Sequence, residues 1–201
     1  MGVLYEKGIM LRKGTKTEKV FEELLYPLSF EQVDYSTPQE YITKYWDSYQ
    51  KRADKNNSLN GNIWECIITT LLYRENILPF YTQAKVAFVP NIQFDVLLYT
   101  PSRPISLSLK TSLRERYKQA DLEAIALRYV HRRAMSYLLT LDPSEAALCK
   151  SKINSGDIIG IDKIIDCNTT DINKLIDDLK AIKEELTVSP KIDVVEGNLI
   201  K

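Results

Sequence analysis

Asp95, Lys110 and Glu123 stand in the middle third of the chain as an acid, a lysine and a second acid. Together they have the residue types that metal-assisted hydrolysis of a phosphodiester needs. Carboxylate oxygens hold a hard divalent cation such as Mg2+. The cation polarises the phosphate and lowers the pKa of a bound water. A lysine beside it orients or deprotonates that water, or neutralises charge building on phosphorus.

The elements around these residues must bring them together. Residues 92–99 form an apolar run that reads as a strand, in which a lone Asp95 is costly unless it has a use. Residues 101–104 (Pro, Ser, Arg, Pro) read as a turn-rich connector and are excluded from a central strand. Residues 105–110 alternate strictly, so Ser106, Ser108 and Lys110 share one face of a second strand. Two short strands joined by a turn predict a hairpin with Asp95 and Lys110 at one end of a sheet. A helix is expected from near Ser112 to residue 133, carrying Arg114, Glu115, Arg116, Gln119 and Glu123. Arg116, Gln119 and Glu123 would share a face of it.

This pattern resembles the PD-(D/E)xK nuclease core, with Asp95 as the first acid and Lys110 as the lysine. Ser108 stands where the commonest form has Asp or Glu. The resemblance is therefore to the CCGG-type group of type II restriction endonucleases, whose S-x-K is followed by a later acid, here Glu123. That group also carries an R-(D/E)-R triplet shortly after the lysine, matched by Arg114, Glu115 and Arg116. The resemblance implies a restriction-endonuclease-like three-layer α/β core, a central mixed sheet flanked by helices. Asp95, Glu123, Glu65 and the Leu109 carbonyl would hold Mg2+, with Ser108 and Lys110 completing the catalytic set. Glu65 enters because a helix before the first catalytic strand often brings such a glutamate to the metal. Arg114, Glu115, Arg116 and Gln119 would contact double-stranded DNA, Arg pairing with G O6/N7 and Glu with C N4. A homodimer cutting a palindrome with GG/CC half-sites is implied, with a cognate methyltransferase protecting host DNA.

Each residue also has a structural reading. Ser112-x-x-Glu115 fits a capping box at a helix start, so Glu115 could cap, contact DNA, or both. Arg114 and Arg116 could be solvated helix charges, Lys110 a strand-end charge and Glu123 a surface partner for a lysine. Glu65 could be a buried carboxylate paired with Arg or Lys. The ensemble allows two other functions: a DNA-binding protein whose nuclease site has decayed, or a structure-selective repair nuclease.

Composition narrows the classes. The 201 residues carry 27 Lys+Arg and 27 Asp+Glu, for a net charge of zero, unlike most non-specific nucleic-acid binders. Cys66, Cys149 and Cys167 show no C-x-x-C spacing and read as buried thiols of a reducing, cytoplasmic setting. A single histidine, His131, expected on a helix surface, excludes the usual zinc clusters. No signal-peptide pattern, membrane-length apolar run or phosphate-binding glycine loop is visible.

One domain is expected: a helical elaboration over 1–57, a catalytic core over 58–186 and a tail over 187–201. Helices are expected over 17–26, 38–51 (after the start signal Ser36-Thr37-Pro38), from Asn60 or Asn62 to Tyr73, over 143–155 before Gly156, and from Thr170 through Ile182. Further strands are expected over 85–89, 137–141 and 158–161. The polar segment 188–201 reads as loosely held, with a possible role in dimer contacts.

Overall fold

The computed structural model describes residues 2–188 and 194–201. Its order is α1 (Val3–Glu6), α2 (Lys16–Glu23), α3 (Pro38–Gln50), α4 (Asn57–Arg74), β1 (Phe80–Val86), β2 (Phe94–Tyr99), β3 (Pro104–Lys110), α5 (Arg116–Val130), β4 (Met135–Thr140), α6 (Pro143–Ser155), β5 (Lys163–Asp166), α7 (Asp171–Ala181) and β6 (Val194–Ile200). The sheet runs β5-β4-β3-β2-β1-β6. Its β3–β4 and β4–β5 pairs are parallel and its other three antiparallel. This is the expected α/β fold with a mixed central sheet.

Two layers of helix cover the sheet. On one face, Ile63 and Ile67 of α4, Tyr41 and Tyr45 of α3 and Leu175 of α7 share a core with Leu107 and Leu109 of β3. On the other, Ala120 and Ala124 of α5 and Ala146 of α6 pack on Leu138 of β4. Alternation along the strands decides this split, since neighbouring side chains leave opposite faces. α4 is apolar on nearly every side, as a central buried helix must be. The α3 tyrosines are core, as the polar ends of Tyr41 and Tyr49 are bonded to Thr70 at 2.9 Å and Asn60 at 2.7 Å. Thr37 caps α3 through the Glu40 amide, with Pro38 in the first turn. The three cysteines are buried and free. Among the described residues, no helix is long and apolar enough to cross a membrane.

Several elements depart from expectation. Pro104 opens β3 opposite Tyr99 instead of ending the connector, which a first strand position allows. β1 is Phe80–Val86, so it starts earlier than 85–89 and leaves residues 87–89 outside the strand. α5 starts at Arg116, not near Ser112, and ends at Val130, leaving His131 as its C-cap rather than a surface helical residue. Residues 158–161 form no strand. The Ile159, Gly160 and Ile161 amides donate instead to the buried Asp121 carboxylate at 3.2, 2.6 and 3.1 Å, and the strand comes later, at β5. The tail is also ordered where described: 194–200 is β6, an edge strand paired with β1. Residues 189–193 of that expectation lie outside the described residues.

Candidate active site

The β2–β3 hairpin sets the site. Val96 pairs with Leu107, and the same register places Asp95 beside Ser108, on the face covered by α5. Asp95 Oδ2 accepts from the Leu109 amide at 2.7 Å and from Lys110 Nζ at 2.9 Å. Both side chains are 14% exposed, so the pair is shielded without being sealed. In an extended strand a residue's N–H and C=O leave on the same side. The Leu109 carbonyl therefore also faces the Asp95 strand.

Two further carboxylates approach from opposite layers. Glu65, on α4, accepts from Gln83 Nε2 at 2.8 Å. Burial, then the Asp95 charge, push its carboxyl up to about 7, against the lowering pull of Gln83 and Lys110. Glu123, on α5, accepts from Gln119 Nε2 at 2.8 Å. Burial raises its carboxyl first of all, with Asp95 adding to the rise and Gln119 and Lys110 opposing it. Both acids thus share the field of the Asp95–Lys110 pair. The alternative of Glu65 as a carboxylate paired with Arg or Lys is not what its hydrogen bond shows. Its bonded partner is an amide.

Ser108 lies on the Glu123 side of the sheet. Its buried Oγ has no hydrogen-bond partner among the described residues, and with Asp95, Glu123 and Ala120 it lines a narrow void under α5. A buried hydroxyl without a partner costs free energy, so the position is better suited to a polar occupant than to packing. The donor set around the void is hard oxygen throughout, which suits Mg2+. As the side chains stand, however, no three His, Cys, Asp or Glu groups among the described residues form a ready cluster for one ion. Of the expected set, Asp95 and Glu123 line this void, whereas Glu65 lines a separate cavity with Gln83 and Thr82. The Lys110 ammonium faces Asp95 where a cation would.

The Arg114, Glu115 and Arg116 triplet is exposed at the end of β3, beyond Lys110. It is not one turn of helix. Arg114 has φ 34 and Glu115 precedes the helix, while Arg116 begins it. The capping box does not form: Glu115 makes no cap bond and instead pairs with Lys118. The Leu113 and Arg114 amides donate to Glu145 of α6, the latter at 2.9 Å.

Two residues of this region went unread in the sequence. Gln83 sits at φ 50 where the β1–β6 register slips between Thr82 and Lys85. A bulge of this kind re-aims a side chain. Before it Phe80 packs on the α4 side; after it Ala84 and Val86 pack on the α5 side. Gln83 thereby turns towards Glu65, and nothing in the local pattern announces it. Glu145 had a signal, but a misleading one, since Asp142-Pro143-Ser144-Glu145 reads as serving its own helix. No family model, curated protein or solved structure matches the chain, so the chemistry of this site rests on its residues.

Proposed function

We propose that the chain is a Mg2+-dependent, site-specific deoxyribonuclease of the type II restriction class. The observation that carries this reading is the Asp95–Lys110 pair, locked across the β2–β3 hairpin, with Glu65 of α4 and Glu123 of α5 both lying within its electrostatic field. A structural ion pair has no need of two further half-buried acids beside it, whose mutual repulsion burial makes worse. Asp95 and Glu123, with Glu65 and the Leu109 carbonyl, would hold the ion. When bound, Mg2+ supplies Lewis-acid activation of the phosphate and of water. Lys110 would release Asp95 and turn to the attacking water or the charged phosphate. Ser108 offers its free Oγ to the same space. Arg114, Glu115, Arg116 and Gln119, exposed beside the site, would read G·C pairs in the major groove of double-stranded DNA, at GG/CC half-sites. A palindromic target is met by a homodimer, and a cognate methyltransferase would protect host DNA.

Supercoiled plasmid DNA incubated with the protein in Mg2+ or in EDTA tests the chemistry. Cutting in Mg2+ that EDTA and Asp95→Asn each abolish supports it. Binding without cutting supports the decayed-site alternative, towards which the serine at position 108 points.

A further inference from the structure

The turn that presents Arg114, Glu115 and Arg116 is held from another element. Two of the chain's capping-box patterns are Ser112-x-x-Glu115 before α5 and Asp142-x-x-Glu145 before α6. Neither closes on itself. Asp142 Oδ1 accepts from the Ser144 and Glu145 amides at 3.1 and 3.0 Å, as a cap should. Its own amide, however, donates to Thr140 Oγ1 at 3.3 Å. Glu145 is thereby released from the return bond that would complete the box. It reaches across instead, Oε2 accepting from the Leu113 amide and Oε1 from the Arg114 amide at 2.9 Å. One carboxylate of α6 satisfies the two amides that lead into α5.

Two consequences meet at the triplet. Glu115, relieved of capping, has its side chain 80% exposed. Arg114 is held at φ 34, a left-handed conformation that a residue with a Cβ keeps only where its surroundings over-determine it. Leu113, fully buried, anchors the turn on one side, and the clamp from Glu145 fixes its backbone on the other. Without that clamp the turn is free to relax to negative φ, and all three side chains would leave the protein in new directions.

We propose that Glu145 is a positioning residue for sequence recognition: by clamping the Leu113 and Arg114 amides it aims Arg114, Glu115 and Arg116 at base edges and so sets discrimination between DNA sequences. This rests on the nuclease reading above. Bidentate base contacts demand donors placed within about 0.5 Å and 10–20° of their ideal positions, which a surface turn held only by its own backbone does not ensure. Phosphate attraction, by contrast, tolerates re-aimed charges. Loss of the clamp therefore acts on specificity and spares sequence-independent affinity.

The test selects duplexes from a randomised library in Ca2+, using wild type, Glu145→Ala and Glu145→Gln, each first shown to be folded by thermal unfolding. The quantity read is affinity for the selected site divided by affinity for random duplex. Glu145→Ala is expected to lower this ratio about tenfold or more. Glu145→Gln, which keeps one acceptor, should lower it less. Random-duplex affinity should stay at the wild-type value in both. A wild-type ratio in Glu145→Ala, or in Glu145→Gln if the alanine variant does not fold, overturns the inference and leaves the nuclease reading standing. Specific and random affinity falling together would show a merely structural role and also overturn it. A wild-type protein that selects no sequence overturns the nuclease reading, and this inference with it.

Discussion

Lys110 Nζ and Asp95 Oδ2 lie 2.9 Å apart at the sheet end where β2 begins and β3 finishes, each side chain 14% exposed. Removing one partner of such a shielded pair leaves the other charge poorly compensated. Asp95 would retain only the Leu109 amide. Lys110→Ala is therefore expected to lower stability by about 1–3 kcal/mol. Asp95→Asn keeps an acceptor for that amide and should cost less than Asp95→Ala. Urea midpoints of the three variants give the order.

The metal-free protein should lose stability as pH rises. Glu65 has its carboxyl raised from 4.5 to about 7, chiefly by burial. The folded state thus holds this proton to higher pH than the unfolded chain does. The associated stability is complete below about 4.5 and is lost as pH climbs through about 7. The loss from this residue is expected to be roughly 1–3 kcal/mol between about pH 5 and pH 8. Glu65→Gln should flatten the profile; an unchanged slope in that variant would refute the assignment. Mg2+ held by Glu65 should oppose the loss, because ligation needs the ionised form.

Arg116 is exposed at the first position of α5. Arg116→Ala should leave the melting temperature within about 2 °C, since surface changes of this kind cost under ~0.5 kcal/mol. Affinity for the selected DNA site should nevertheless fall roughly 5- to 150-fold, the value of one bidentate guanine contact. Equal losses on selected and random duplexes would place Arg116 on phosphate instead.

Gly160 has no room for a side chain. A Cβ there would lie 2.4 Å from the Asp121 carbonyl oxygen and 2.8 Å from the Ile125 amide nitrogen. Both are backbone atoms of α5 and cannot step aside cheaply. Gly160→Ala is expected to destabilise by about 2–4 kcal/mol, and Asp121→Ala by a similar amount through three unpaired amides. Thermal unfolding of the two variants checks this, and neither change should alter the metal dependence of cutting.

The sheet was legible where local pattern and tertiary use agreed. The strict alternation of 105–110 and the apolar run 92–99 gave the hairpin, and with it the meeting of Asp95 and Lys110. Reading failed where a distant group overrode the local signal. Ile158 to Ile161 looked like a strand, but the Asp121 carboxylate takes three of its amides, and β5 carries only Ile164 and Ile165 as apolar residues. β6, with Glu196, Gly197 and Asn198 at its centre, is polar as an edge strand can be. The start of α5 lies later than the Ser112-x-x-Glu115 pattern advertises because Glu145 takes the Leu113 and Arg114 amides and Arg114 turns to φ 34 before the helix begins at Arg116. Gln83 was invisible for the same reason, since a bulge and a contact to Glu65 lie beyond any local pattern.

The most direct measurement is digestion of long unmethylated DNA with Mg2+ or EDTA, run beside Lys110→Ala, followed by sequencing of the fragment ends. Discrete Mg2+-dependent fragments sharing one palindromic end sequence with GG/CC half-sites, and reduced at least about 100-fold by Lys110→Ala, are the predicted result. No cutting, or a smear that Lys110→Ala reproduces, would contradict the central claim.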